Sequence, residues 1–116
     1  MDMMINRLKA LSDTNRFRIL MMLTERDLCV CEILEVLDIA GGTLSNHLKI
    51  LKNADLIDQN KEGRWILYAL KDEATREFLR SLEKDIIDRT ILEHDRKFIT
   101  GIDRLSCSKS AKMNQV

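Results

Sequence analysis

The chain has 116 residues, with 19 Lys+Arg against 19 Asp+Glu, 45% hydrophobic and 33% charged residues, no Pro and four Gly. That length suits one domain that buries roughly two-thirds of its unfolded surface, and the composition excludes a disordered or fibrous chain. No apolar run approaches the roughly 18 residues of a membrane span, few residues are turn formers as an all-β sandwich requires, and zero net charge confines any nucleic-acid contact to a local patch. Residues 1–11 carry Met4, Leu8 and Leu11 at helical spacing, and Ser12 and Asp13 are cap types that end this helix and start the next. In 14–24, Phe17, Leu20 and Leu23 recur on one face with Met21 beside them. Asp27 reads as the cap of a short helix to about Leu37, with Val30, Ile33, Leu34 and Leu37 at i, i+3, i+4, i+7. Asp38-Ile39-Ala40-Gly41-Gly42 reads as a turn in which the glycines permit positive φ. Leu44, Leu48 and Leu51 mark a helix over 43–53, whose other face carries Ser45, Asn46, His47, Lys49 and Lys52. Residues 56–60 and 65–70 read as two strands joined through Gly63. Residues 73–98 read as one long helix, with Phe78, Leu82 and Ile86 at i+4 and Leu79 and Ile91 widening the stripe. After Gly101 the periodicity stops, and 106–116 reads as a frayed tail.

The order helix, helix, helix, turn, helix, hairpin, long helix contains a helix-turn-helix followed by a wing. The expected fold is mainly α with a small β-hairpin, a winged helix-turn-helix. It is expected to be homodimeric through its terminal helices, whose apolar stripes one small domain does not cover. Residues 1–100 are assigned to this DNA-binding and dimerisation domain and 101–116 to a flexible tail. Thr43, Ser45, Asn46 and His47 offer short hydrogen-bonding side chains for base edges, and Asn pairs bidentately with adenine. Lys49 and Lys52 suit phosphates, and Lys61 and Arg64 flank the hairpin tip. An ordinary solvated helix face is the plain alternative, since 41–71 holds only a mild basic excess. There is no Gly-rich phosphate loop, no carboxylate pair in a cleft and too few His for a triad, so the chain reads as a non-enzyme that requires no cofactor. Met1-Asp2-Met3-Met4 lacks the basic start of a signal peptide, so the default location is the cytoplasm.

Asp27-Leu28-Cys29-Val30-Cys31-Glu32-Ile33-Leu34 is the most informative stretch. Thiolates select soft ions such as arsenite, antimonite, cadmium, lead, copper(I) and zinc. Buried thiols also serve as small hydrophobes, so residue type alone leaves both readings open. On a regular helix residues i and i+2 point about 200° apart. One ion therefore reaches both sulfurs only if the backbone near Val30 unwinds.

Three further stretches carry a family resemblance over about residues 4–95. The run Leu8 to Leu20 is similar to the opening LKALSDPTRLRIL of the ArsR/SmtB family of winged-helix metalloregulatory repressors. Thr43 to Leu51 is similar to that family's recognition helix STVSHHLKVL, and Glu62 to Tyr68 to its wing REGRWVYY. The cysteine stretch resembles ELCVCDL of the arsenic-sensing branch. The resemblance implies a homodimer, double-stranded operator DNA with two-fold symmetry, and repression relieved by an effector. It implies Cys29 and Cys31 as ligands of As(III) or Sb(III), with Cd(II), Pb(II) or thiol oxidation as alternative signals. Leu34 stands where some relatives carry a third Cys, which leaves Cys107 or a hydroxide for the third position. Gly41 and Gly42 replace a polar pair common in the family, so base recognition shifts to Ser45, Asn46 and His47. The long C-terminal helix offers only His94 and no Asp-x-His, so the family's zinc site there is not expected. A more remote alternative is a winged helix that binds protein and no DNA.

Overall fold

The computed structural model describes residues 2–103. Its elements are α1 (Asp2–Leu11), α2 (Thr14–Leu23), β1 (Leu28–Cys29), α3 (Val30–Val36), α4 (Gly41–Asn53), β2 (Ile57–Glu62), β3 (Trp65–Leu70), α5 (Glu73–Glu83) and α6 (Thr90–Thr100). The centre is α2. Asp13 caps it by accepting from the Arg16 backbone N–H at 3.0 Å. Its second half, Ile19 to Leu23, is at most 1% exposed at every residue, so this half of the helix is apolar all round and other elements wrap it. The elements packed on it include α1, α4, α6 and β3. The sheet is antiparallel in the order β1-β3-β2, with Leu28 opposite Tyr68, Cys29 opposite Leu67, and Ile57 through Glu62 opposite Leu70 through Trp65. Gly63 turns the hairpin tip at φ +61, a left-handed conformation that favours Gly.

Three expectations are corrected. The stretch 73–98 is two helices, not one. Asp88 Oδ1 accepts from Thr90 N–H at 3.0 Å, which starts α6 afresh, and Ile86 packs on the core while Ile87 faces solvent. The third helix begins at Val30, because Leu28 and Cys29 pair with β3 instead. The Gly41-Gly42 pair is the first turn of α4 with Ala40 as N-cap, not a positive-φ turn. A Cβ at either glycine would meet nothing within 4 Å.

Ion pairs fasten the outer helices. Arg18 meets Asp95 through two bonds of 2.8 and 2.9 Å, tying α2 to α6, and Asp95 is 1% exposed. Arg96 of α6 holds Glu83 of α5, one of the two contacts being 2.7 Å. At the end of α4, Asp55 takes φ +61 and Leu56 N–H reaches Leu51 O at 3.1 Å, the six-to-one bond of a Schellman turn. Asp55 also pairs with Arg7 at 3.5 Å and Lys71 at 3.3 Å. Met3, Met4, Ile5 and Leu8 of α1, Phe78 of α5, and Ile91 and Phe98 of α6 stay exposed. No helix among the described residues is long and apolar enough to cross a membrane. Of the expected tail 101–116, residues 104–116, Cys107 among them, lie outside the described residues.

Candidate sulfur site and nucleic-acid interface

Cys29 is the last residue of β1 and the N-cap of α3, with extended backbone (φ −90, ψ 165). Cys31 follows in the first helical turn. The two are therefore not both on a regular helix. Cys29 (1% exposed) and Cys31 (4%) form a small cluster with Leu67, and Trp65 packs against it. The main core is a separate cluster that includes Val30, Ile33 and the buried leucines of α4.

Glu32 completes a capping box with Cys29. Its carboxylate accepts from Cys29 N–H at 3.0 Å while the Cys29 sulfur faces the Glu32 N–H. Glu32 is 0% exposed, and its other oxygen lies 2.8 Å from Arg26 Nη1, an ion pair off the hydrogen-bond angle. Arg26 Nη2 donates to Ile99 O at 2.9 Å and Ile102 O at 3.1 Å, so the end of α6 is tied to this site. Cys29 carries a free thiol. Burial pushes that thiol above its ordinary pKa; the Glu32 backbone N–H opposes the rise and the Glu32 carboxylate adds to it. The net effect favours the protonated thiol at Cys29. Among the described residues no group of three or more His, Cys, Asp or Glu is arranged to hold a metal ion. Sequence reasoning missed Glu32 and Arg26. The signal available was Cys29-x-x-Glu32, a capping box with sulfur in place of a hydroxyl.

Of the DNA candidates, Thr43, Asn46, Lys49 and Lys52 are exposed on α4. Ser45 is half-buried and its Oγ has no hydrogen-bond partner. His47 departs from its expected place on the exposed face. It is 9% exposed, with Nδ1 3.2 Å from Arg16 Nη1 and Nε2 3.9 Å from Asp13 Oδ2. A guanidinium only donates, so Nδ1 accepts and the ring proton sits on Nε2, toward Asp13. Arg16 also donates to Ala10 O at 2.8 Å and Lys9 O at 3.2 Å. It is therefore a node joining α1, α2 and α4. Lys61 and Arg64 are exposed at the wing tip, and the Arg64 guanidinium sits 4.9 Å over the Trp65 ring. Between α4 and the wing lies a groove lined by Ser45, Lys49, Lys52, Asn53, Gln59 and Tyr68.

A three-turn helix with exposed polar and basic side chains, braced by α3 and flanked by a basic hairpin tip, defines a winged helix-turn-helix regulator. Residues 13–59 match the family described as bacterial regulatory protein, arsR family. The arsenical resistance operon repressor of Escherichia coli K12 is 30% identical over 112 residues, covering 93% of this chain and 92% of that protein. The cadmium resistance transcriptional regulatory protein CadC homolog of Staphylococcus aureus is 38% identical over 72 residues, covering 61% of this chain and 60% of that protein. The NMR structure of the cadmium metal-sensor CMTR from Mycobacterium tuberculosis superposes with TM-score 0.63 at 28% identity, covering 73% of this chain and 88% of that one. The chain belongs to the arsR family of bacterial regulatory proteins. Members are transcriptional regulators, not enzymes.

Proposed function

We propose that this regulator is a homodimeric repressor that leaves its operator when arsenite or antimonite is taken up by Cys29 and Cys31. The observation that carries the reading is the joint burial of both cysteines in one apolar cluster with Leu67 and Trp65 of the wing. Once an external thiol reductant has brought both cysteines to the thiol form, the uptake step is an exchange without redox change. Two S–H bonds and two As–O bonds of As(OH)3 break, two As–S bonds form, two waters leave, and one hydroxyl stays on arsenic. Cys107, outside the described residues, is the candidate to displace that last hydroxyl.

On DNA, α4 enters the major groove. Thr43, Ser45 and Asn46 meet base edges, with His47 holding the helix from behind. Lys49, Lys52, Lys61 and Arg64 neutralise phosphates. The exposed apolar residues of α1, α5 and α6 form the dimer face, and an operator with two-fold symmetry follows from a two-fold dimer.

The test is fluorescence anisotropy on duplex DNA from upstream of the gene, with the thiols kept reduced. Binding that weakens with salt and is lost on adding arsenite is expected. Cys29→Ser and Cys31→Ser should keep the binding and lose the response; release by arsenite in both variants overturns the assignment. The names of the relatives include both arsenical and cadmium regulators, so a response to cadmium or lead is the second reading. Release by Cd(II) in the absence of any arsenite effect would select it.

A further inference from the structure

Helix α1 is joined to the rest of the chain by little apolar contact. Ala10 is its only buried residue among those described, Leu11 packs partly on the core, and Met3, Met4, Ile5 and Leu8 are exposed. Two arginines fasten it. Arg16, in the first turn of α2, spreads its guanidinium nitrogens over three acceptors. Nε donates to Ala10 O at 2.8 Å, Nη2 to Lys9 O at 3.2 Å and Nη1 to His47 Nδ1 at 3.2 Å. Arg7 of α1 donates from Nε to Ala54 O at 3.2 Å, and its Nη2 lies 3.5 Å from Asp55 Oδ2. Helix α1 is thus pinned to α4 at two points, His47 and Ala54, about 10 Å apart along the helix axis. Apolar packing is non-directional, so Leu44, Leu48 and Leu51 set how deep α4 lies. The two pins are directional bonds and set where it points.

The geometry points to Arg7 and Arg16 as positioning residues for half-site spacing: they hold the recognition helix at a fixed angle to α1, part of the face through which two copies pair. In a two-fold dimer the two α4 helices then stand a set distance apart, and only half-sites of that spacing meet both. The tolerance is small. Half-sites one turn apart have centres about 34 Å apart, which puts each α4 about 17 Å from the two-fold axis. A swing of about 10° on that arm moves α4 by about 3 Å, close to one base-pair step. A planar fork on three acceptors resists such a swing, whereas a single ammonium on a flexible stem does not. Loosened pins leave each α4 able to bind its own half-site, but the pair no longer selects a distance.

This inference rests on the reading of the chain as a dimeric DNA-binding repressor, and the test separates the two. The first probe is the duplex from upstream of the gene, with its symmetric site located by footprinting. The others are the same duplex with one base pair added or removed at the centre, and a duplex holding one half of the site. In anisotropy with the full-length reduced protein, altering the centre is expected to weaken binding about tenfold or more. A variant carrying Arg7→Lys and Arg16→Lys should lose less than about threefold on the altered duplexes, and should bind the single half-site within about twofold of the unaltered protein. His47→Leu removes the acceptor of the middle pin and should relax the spacing. His47→Asn, whose amide oxygen stands in for Nδ1, should keep it strict. Circular dichroism and size-exclusion chromatography show whether each variant is folded and dimeric. Strict spacing in the folded double-lysine variant overturns the inference, as does the same spacing profile for His47→Leu and His47→Asn. So does a loss on the single half-site as large as that on the full site, which marks damage to α4 itself. If the double-lysine variant does not fold, the two His47 variants decide alone. An unaltered protein indifferent to spacing overturns the inference and leaves dimeric DNA binding standing. An unaltered protein that is monomeric, or that binds none of the duplexes, removes the repressor reading and this inference with it.

Discussion

Replacing Glu32 by Gln separates the charge of the sulfur site from its shape. The side chain is 0% exposed, accepts from Cys29 N–H at 3.0 Å and lies 2.8 Å from Arg26 Nη1. The amide oxygen still accepts from Cys29, so the cap survives. What disappears is the counter-charge of Arg26, whose other nitrogen remains on the Ile99 and Ile102 carbonyls. Removing one member of a fully buried pair costs about 3–5 kcal/mol. Arg26 is 35% exposed and keeps some hydration, so about 1.5–2.5 kcal/mol is expected. For a domain of this size that lowers Tm by roughly 6–15 °C. The same charge acts on Cys29. Burial is the main cause of its raised pKa, and the Glu32 carboxylate adds to the rise. Gln removes that addition, so Cys29 becomes more acidic while staying above its ordinary value. Stability and thiol acidity should therefore move in opposite directions. Urea denaturation at fixed protein concentration gives the first, and ultraviolet thiolate absorbance against pH gives the second, in a background where Cys31 and Cys107 are Ser. A Glu32→Gln protein as stable as its parent, or with an unmoved Cys29 titration, refutes the reasoning.

Ala40→Ser supplies the side-chain acceptor that α4 lacks at its N-cap; a gain of about 1 kcal/mol is expected in urea denaturation. Leu44→Ala, at a residue 0% exposed under the recognition helix, should cost about 2–5 kcal/mol in the same measurement. The Arg96 hydrogen bond lowers the pKa of Glu83 below its ordinary 4.5. Its contribution is complete above that value and is lost as pH falls through the lowered one. Glu83→Gln should thus flatten the acid limb of a Tm–pH curve. Cys29 has the opposite sign: its raised pKa means that stability is complete below the ordinary thiol value of 9.0 and is lost as pH rises through the folded one. Cys29→Ala should remove that alkaline loss.

The recognition helix was legible because its signal is local. Leu44, Leu48 and Leu51 recur at helical spacing and all are at most 2% exposed. The break between α5 and α6 was not, because no Gly or Pro marks 84–89 and the apolar positions continue in phase across it. Only the Asp88 bond to Thr90 N–H hints at a new start. Strand β1 is two residues long and exists because β3 has a free edge beside it, a fact invisible from Leu28 and Cys29 themselves. Its consequence is large, since it lifts Cys29 out of the helix. His47 was read as facing outward from its place among polar neighbours. What turns it inward is Arg16, 31 residues away in sequence. The cysteine pair stood out as a candidate ligand set through its resemblance to the family's cysteine motif, and its neighbours on the wing did not.

The burial of both sulfurs also sets a clock. With Cys29 at 1% and Cys31 at 4% exposure, uptake of an ion under the proposed function would wait for the cluster to open. Arg26, anchored on the Ile99 and Ile102 carbonyls and paired with Glu32, is the clasp that must loosen. On that reading the uptake rate would level off as inducer concentration rises, at the frequency of that opening. Under the proposed function, that opening would set a delay in the response, governed by the contacts of Arg26 with Glu32 and the two carbonyls.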